Sequence, residues 1–231
     1  MGVPWFKFNG IDSRDMGIIV TSVPEKAKPK RNITTVQIPG RSGALHIDEG
    51  TYNSYTQKIS CKIKDRHKAD LITAWLDGCG ELILSSEPDK YYTAYIVAQW
   101  SIKSMLQRFQ SFSVTFDVDP FKYSVNAFED TINISSPITV FGKGSAQAAP
   151  MMTITGDGDI TILINGREYV LKNVDEYVTI DSDAQEVFKD SESRNSLYYS
   201  MEFPRLDPGS NNISWTGAVS NIEIVPRWRW L

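Results

Sequence analysis

The sequence predicts a mainly β protein of two domains, with a single α-helix and an extended hairpin arm in the first domain. From Phe112 to Val118, apolar and polar residues alternate without exception, so every large apolar side chain lies on one face of a strand. Helical spacing is convincing only at residues 66–77. After residue 130, short apolar runs and closely spaced turns are typical of a β-sandwich. We therefore expect domains at residues 1–130 and 131–231.

The composition is that of a globular protein whose main partner is not nucleic acid. Hydrophobic residues make up 41% and charged residues 23%, and no apolar run approaches the ~20 residues of a membrane helix. Residues 1–130 hold 16 Lys and Arg against 15 Asp and Glu, a net charge of +1. Residues 131–231 hold 8 against 13, a net charge of −5. Neither half has the basic surplus that nucleic-acid binding requires.

Residues 24–50 predict a hairpin arm. A charged, proline-containing segment, Pro24–Arg31, cannot be a central strand and is expected to leave the body of the domain. Two short β-rich runs follow on either side of the loop Pro39–Gly43. Because no Gly-Lys-Ser/Thr follows, the loop does not predict a phosphate-binding site. The apolar residues of these runs are Ile33, Val36, Ile38, Leu45 and Ile47.

The rest of the first domain combines strands with the one helix. Alternation around Cys61 predicts a half-buried strand, and Asp65 and Gly78 are suited to begin and end the helix at 66–77. Strands are also expected at residues 5–8, 18–20, 82–84 and 91–97. The closing strand, Phe109–Tyr123, should end its pairing at Pro120, which lacks a backbone N–H.

No pattern in the sequence predicts catalysis, a metal or a cofactor. Cys61 and Cys79 are expected to be buried, reduced thiols, and His46 and His67 match no ligand spacing. The acidic turns at 157–159 and 181–183 lack the spacing of a calcium-binding loop and are better explained as solvated turns. We therefore expect a protein that is not an enzyme.

The second domain contains the clearest local signal. Asn165-Gly166 between two β-rich runs predicts a type I′ hairpin, with Ile164 opposite Arg167 and Ile162 opposite Tyr169. The junction at about 124–150 is expected to be mostly loop or linker, with a strand near 131–134.

The C-terminal alternation of arginine and tryptophan has two interpretations. It is either a partner-contact anchor, or a last strand whose tryptophans close the sandwich and whose arginines face water. Its residues are Arg227, Trp228, Arg229 and Trp230.

Two sets of segments carry a family resemblance. The first half contains, in order, FKFNGIDSRDMGIIV, IPGRSGALHIDEGTY, AWLDGCGELILS and FSVTFDVDPFKY. The second half adds TILINGREYVL, VTIDSDAQEVF, FPRLDPGSNNISW and PRWRWL. In order and spacing they resemble the distal tail proteins of long-tailed phages (siphophages) that infect Gram-positive bacteria.

The resemblance implies a fold and an assembly. The expected fold is an N-terminal β-sandwich or split-barrel-like domain and a C-terminal galectin-like β-sandwich. The expected assembly is a ring of six copies, single or stacked, at the distal end of the tail of a phage or prophage, put together in the host cytoplasm. As the baseplate hub, the ring would join the tail tube protein to the tail-associated lysin or tail fibre, with the tape-measure and receptor-binding proteins as further partners. DNA would pass through only as cargo, and no membrane is involved.

Within that ring, the hairpin is the predicted contact between neighbouring subunits. Its candidate residues are Ile33, Val36, Ile38, Arg41, Leu45 and Ile47.

A carbohydrate-binding module for adhesion to the host cell wall is the alternative function. The galectin sugar site uses a His-x-Asn-Pro-Arg motif, but residues 131–231 contain no histidine, and Trp215 is followed by Thr-Gly-Ala. The resemblance thus implies the galectin fold without the galectin site, so the assembly role is the stronger hypothesis.

Overall fold

The computed structural model describes residues 3–22, 26–97, 103–105 and 109–231, with the side chains of residue 66, 103–105 and 109–110 left aside. Its contacts cluster into two units, Met1–Lys122 with Leu231, and Tyr123–Trp230. The division therefore falls after Lys122, earlier in the chain than the boundary at residue 130 that the sequence suggested. Among the described residues, no helix combines the length and apolar character needed to cross a membrane.

The first unit is built from strands and one short helix. The strands are β1 (Phe6–Phe8), β2 (Ile11–Asp12), β3 (Ile18–Val20), β4 (Arg31–Gln37), β5 (Ala44–Tyr52), β6 (Tyr55–Ile63), β7 (Gly78–Leu84), β8 (Glu87–Ile96), β9 (Lys103–Met105) and β10 (Phe109–Ser124). The helix α1 (Ala69–Trp75) follows a 3-10 turn at Arg66–Lys68.

Strand β10 lies inside the main sheet, whose order is β2-β1-β7-β8-β10-β6-β3, with β9 also paired to β10. Phe112, Val114, Phe116 and Val118 are at most 5% exposed, as the alternation predicted. The register of β10 with β6 ends at the pair Val118–Tyr55, just before Pro120. The strand itself continues to Ser124, one residue beyond the predicted Phe109–Tyr123. A proline removes one donor, and that loss affects the pairing on one side without bending the chain out of extended conformation.

The helical segment lies where it was predicted but is shorter, because residues 66–68 form a 3-10 turn and α1 covers only Ala69–Trp75. The Asp65 carboxylate accepts a hydrogen bond of 2.9 Å from the His67 N–H, and Gly78 adopts a φ of +74° just after the helix. Ile72 is buried. Leu71 falls at helical spacing with Trp75 in the sequence, which predicts a common buried face, but it is 56% exposed. A helix of two turns covers only a narrow strip of the sheet, so a residue beside that strip stays in water.

Trp75 fastens the helix to the sheet. Its ring stacks on Phe6 at a centroid distance of 5.7 Å, and its indole Nε1 donates to the Phe8 carbonyl oxygen at 3.0 Å. Phe116 lies on the same core, 5.9 Å from the Phe6 ring and 5.4 Å from the Phe8 ring. The aromatic core thus joins β1, α1 and β10.

The two cysteines differ in environment. Cys61 is buried in β6, and this burial raises the pKa of its thiol to about 12. Cys79 is exposed in β7, so the prediction of two buried thiols is wrong for Cys79. The glycines on either side of Cys79 gave no information about which face of the strand it would occupy.

Strands β4 and β5 form a two-stranded sheet of their own, as the sequence predicted for a hairpin arm. Their register pairs Val36 with Leu45 and Thr34 with Ile47.

The second unit contains the remaining strands. They are β11 (Ile132–Ile134), β12 (Ile138–Gly142), β13 (Met151–Ile164), β14 (Arg167–Val174), β15 (Tyr177–Asp181), β16 (Glu186–Lys189), β17 (Glu192–Ser193), β18 (Gly209–Val225) and β19 (Arg229–Trp230), with a 3-10 turn at Asn195–Leu197. Strand β12 lies in the junction that was predicted to be mostly loop. The loop was predicted because the short apolar run of this strand is flanked by Ser-Ser-Pro and Gly-Lys-Gly.

The long strands β13 and β18 organise this unit. In one half of the sheet, β18 pairs with β11 and β13 pairs with β15. In the other half, β18 pairs with β12 and β13 pairs with β14. Their register shifts between these halves, near Gly156. The buried side chains of both halves make one hydrophobic cluster, as a β-sandwich requires. A galectin-like topology stays a prediction.

The hairpin at Asn165-Gly166 has the predicted geometry. Ile164 pairs with Arg167, and Ile162 pairs with Tyr169. Asn165 and Gly166 have φ angles of +52° and +80°, as a type I′ turn requires.

Replacing Phe116 by alanine should lower the free energy of unfolding by about 3–5 kcal/mol, because the cavity would open beside the rings of Phe6 and Phe8. The outward-facing neighbour Thr115, replaced by alanine, is the control and should change it by less than about 1 kcal/mol. Denaturant titration followed by tryptophan fluorescence measures both variants. Equal effects would contradict the assignment of the buried face.

Gly217→Ala should destabilise the second unit more than Gly158→Ala. Both glycines have positive φ angles, +102° and +77°, but only a Cβ at position 217 would lie 2.4 Å from the carbonyl oxygen of Asp159. The left-handed conformation alone costs alanine about 1–2 kcal/mol, and the clash adds to that cost at Gly217. Thermal unfolding of the two variants compares them, and a larger loss for Gly158→Ala would show that β13 and β18 do not approach closely here.

Candidate functional site

The hairpin β4–β5 exposes apolar side chains that a folded monomer would normally bury. All five large apolar residues predicted as interface candidates are at least 37% exposed. The exposed fractions are 51% for Ile33, 40% for Val36, 37% for Ile38, 40% for Leu45 and 47% for Ile47. Contiguous exposed apolar groups on a soluble protein usually mark an interaction surface.

The register places most of these residues on one face. Val36 lies opposite Leu45, and directly opposed residues of an antiparallel pair point to the same side. Ile47 lies two positions from Leu45 along β5 and shares that side, and Ile38, the residue after the end of β4, continues the alternation from Val36. We call Val36, Ile38, Leu45 and Ile47 the apolar face of the hairpin. Ile33 lies opposite Asp48 and therefore belongs to the other side.

The side that carries Ile33 is mainly polar. Thr35 Oγ1 is 3.2 Å from His46 Nδ1, and these two residues are directly opposed in the register. The hydroxyl of Thr34 donates to the Glu49 carboxylate at the edge of the apolar face. Hydrogen bonds of this kind hold the two strands to each other, yet an isolated two-stranded hairpin is only marginally stable in water.

The root of the hairpin is tied to the first unit by aromatic and charged contacts. The Tyr52 and Phe121 rings meet edge to face at 5.9 Å, and the Arg31 guanidinium lies 5.5 Å from the Tyr52 ring centroid. Arg31 also forms an ion pair with Asp48 at 2.8 Å. The backbone N–H of Gly50 and then Arg31 lower the pKa of Asp48.

The tip of the hairpin carries Arg41. Gly40 and Gly43 have φ angles of +80° and +84°, and the N–H of Arg41 donates to the Ile38 carbonyl oxygen at 3.1 Å, which closes the turn. Arg41 is exposed at this turn, next to the apolar face.

The C-terminal candidate residues make contacts within the second unit. Arg227 holds the Asp181 carboxylate with two hydrogen bonds, of 2.6 and 2.8 Å. Burial favours a higher pKa for Asp181, but the hydrogen bonds from Arg227 outweigh it and the pKa lies below its ordinary value. The arginine thus fixes the chain end against the last residue of β15.

The following three residues also bind internal groups. Trp228 is 3% exposed and belongs to the hydrophobic cluster of the second unit. Arg229 Nε donates to the Gln147 carbonyl oxygen, and Trp230 Nε1 donates to the Lys143 carbonyl oxygen at 3.1 Å. The sequence could not distinguish such internal contacts from partner contacts, because both use arginine and tryptophan.

Residues 157–159, which were expected to form a solvated turn, lie within β13, and the two aspartates there accept backbone hydrogen bonds. Asp157 accepts from the Glu176 N–H and Asp159 from the Asn173 N–H, each at 3.1 Å. In the part of the chain that the structure describes, no three His, Cys, Asp or Glu side chains lie close enough together to hold a metal ion. Trp215 packs partly buried against the core of the second unit.

Comparisons with known proteins agree with this architecture. Residues 13–118 match a family model described as the phage tail protein RIFT-related domain. No curated protein matches the chain significantly. Among solved structures, the Dit protein (gp 19.1) of phage SPP1 matches with a TM-score of 0.80 at 13% sequence identity, covering 100% of both chains. That protein is described as a paradigm of the hub adsorption apparatus in Gram-positive infecting phages.

At 13% identity the structural likeness shows a common fold, and it confirms the predicted mainly β architecture. The family match places a phage tail domain in the first unit and gives the chain a structural role in the virion tail, in a family not known for enzymes. Together the two matches confirm the resemblance found in the sequence: residues 13–118 carry a phage tail protein domain, and the whole chain shares the fold of the SPP1 Dit protein.

Proposed function

We propose that the chain forms a closed homohexameric ring at the distal end of the tail and acts there as a hub. The observation that carries the proposal is the apolar face of the hairpin, which is exposed on a two-stranded sheet separate from the main sheet. The description of the SPP1 protein as a hub supports the same role.

Covering the apolar face would stabilise an assembly. Its four side chains are 37–47% exposed, and burying the exposed part of each contributes on the order of 1 kcal/mol. The neighbour would also support a hairpin that is weak by itself. The same contact buries the apolar face and supports the hairpin, so folding of the hairpin and association of the subunits are coupled.

A second copy of the chain is the proposed occupant. The hairpin is a protruding element, and its apolar face has to meet a different surface of the next subunit. Such a head-to-tail contact repeats until the ring closes. The number six comes from the family resemblance, and stable rings of this kind bury more than roughly 2,000 Å² at each interface.

The ring would connect other parts of the tail. The tail tube protein is the proposed partner on one side, and the tail-associated lysin, tail fibre or baseplate proteins are the partners on the other. The tape-measure protein and DNA would meet the central channel, and assembly would take place in the host cytoplasm. A net charge of −4 for the whole chain suits a channel that has to release DNA, because strongly basic surfaces retain phosphate backbones.

The double variant Val36→Lys with Leu45→Glu should abolish the ring and leave the monomer folded. The two positions are directly opposed, so the new charges can pair across the hairpin while its apolar face becomes polar. Both side chains are exposed, so the free energy of unfolding of the monomer should change by less than about 1 kcal/mol. Native mass spectrometry and sedimentation velocity report the assembly, and denaturant titration reports the stability.

The matched control places the same charge pair on the other side of the hairpin. Thr35→Lys with His46→Glu also changes two opposed positions, and this variant should keep the ring. Hexamers of the Val36/Leu45 variant would refute the apolar face as the contact. A wild-type chain that stays monomeric at all concentrations would refute the ring.

Deleting residues 31–52 should give a folded monomer without a ring. The N–H of Asn53 donates to the Lys30 carbonyl oxygen at 2.9 Å, so the chain can be rejoined across a short gap. Light scattering should show the monomer mass, and circular dichroism should show the remaining strands. A deletion variant that still forms full rings would contradict the assignment of the hairpin.

A further inference from the structure

The carboxylate of Glu87, at the start of β8, is the centre of a small network in the first unit. It is 12% exposed and accepts a hydrogen bond of 2.9 Å from the Tyr92 hydroxyl. Lys122 Nζ donates to both of its oxygens, at 2.9 and 3.1 Å. Lys26 Nζ forms a further ion pair with it at 3.3 Å. The network joins β8 and β10 to a segment that lies outside the sheet.

That segment is the one that leads into the hairpin. Lys26 is followed by the buried Pro29 and by Lys30, whose carbonyl oxygen accepts from the Asn53 N–H at the other end of the hairpin. The hairpin is thus held at two places on the first unit. One is the ion pair of Lys26 with Glu87, and the other is the ring contact of Tyr52 with Phe121 described above.

The Lys26 contact can be lost without leaving Glu87 unpaired. Burial favours a higher pKa for Glu87, but hydrogen bonds from Lys122 and Tyr92 outweigh it and lower the pKa below its ordinary value. Lys122 is 14% exposed and Lys26 is 59% exposed. Lys122 and Tyr92 therefore serve the folding of the unit, whereas Lys26 adds only the connection to the hairpin.

We propose that Glu87 is a positioning residue for assembly, because its ion pair with Lys26 sets the direction in which the hairpin leaves the first unit. The inference rests on the proposed ring, since a hairpin that points in a wrong direction cannot reach the next subunit. Glu87 lies outside the apolar face through which the subunits are proposed to meet.

In a closed ring of six subunits, the loss of one weak contact in each subunit affects the formation constant of the ring six times. A partly exposed ion pair changes an equilibrium by about threefold. Six such losses lower the formation constant of a hexamer by several hundredfold, which raises the subunit concentration at half-dissociation by about fourfold. This shift is within the resolution of sedimentation measurements over a dilution series.

The experiment compares three variants of the full chain. Lys26→Gln removes the ion pair, Lys26→Arg keeps it, and Lys28→Gln makes the same charge change at an exposed lysine that forms no ion pair among the described residues. We expect Lys26→Gln to raise the half-dissociation concentration about fourfold, Lys26→Arg to restore it, and Lys28→Gln to behave as wild type.

A second readout does not depend on the ring. Hydrogen exchange is measured on the same three changes in the monomeric background of Val36→Lys with Leu45→Glu. Lys26→Gln should speed exchange at the root of the hairpin, including the amide of Asn53, while the amides of β6 and β10 keep their protection. A merely structural role of the network would change protection in β10 as well.

The outcomes separate this inference from the proposed function. If wild type forms rings and Lys26→Gln matches Lys28→Gln in both readouts, the positioning role is overturned and the ring stands. If wild type forms no ring, the proposed function fails, and the exchange of the hairpin root alone decides whether Glu87 positions the hairpin.

Discussion

The inward face of β10 is the constraint on which the first unit depends. Phe116 has no exposed surface and lies within 6 Å of the rings of both phenylalanines in β1, while Trp75 brings the helix onto the same core. A strand has two faces and only one can point into this core. The polar residues of β10 are therefore committed to the other face, and the whole sheet acquires an inside and an outside.

The hairpin follows a different rule, although its sequence looks similar. Apolar and polar residues also alternate in it, but among the described residues its strands pair with each other and with no strand of the main sheet. The same periodicity that buries Phe116 leaves Val36 and Leu45 in solvent. An apolar side chain can thus be assigned to a core or to a contact between molecules only after the neighbours of its strand are known.

This difference explains how far the sequence could be interpreted. Local patterns predicted the hairpin arm, the position of the helix and the register around Asn165-Gly166, because turn chemistry and periodicity act over a few residues. The network of Glu87 could not be found in this way. Lys26 and Lys122 lie far from Glu87 in the sequence and meet it only through the sheet, and neither position interrupts a local pattern. The proposed number of subunits rests on the family resemblance, because no local pattern contains it.

The two ends of the hairpin meet at one backbone hydrogen bond between Asn53 and Lys30. The rest of the first unit is continuous in space on either side of that point, so the hairpin is an appendage that the main sheet does not need for its own strand order. Evolution can therefore lengthen, shorten or exchange this appendage while the scaffold beneath it stays the same. Such a module would let the geometry of a contact surface diverge faster than the fold that carries it.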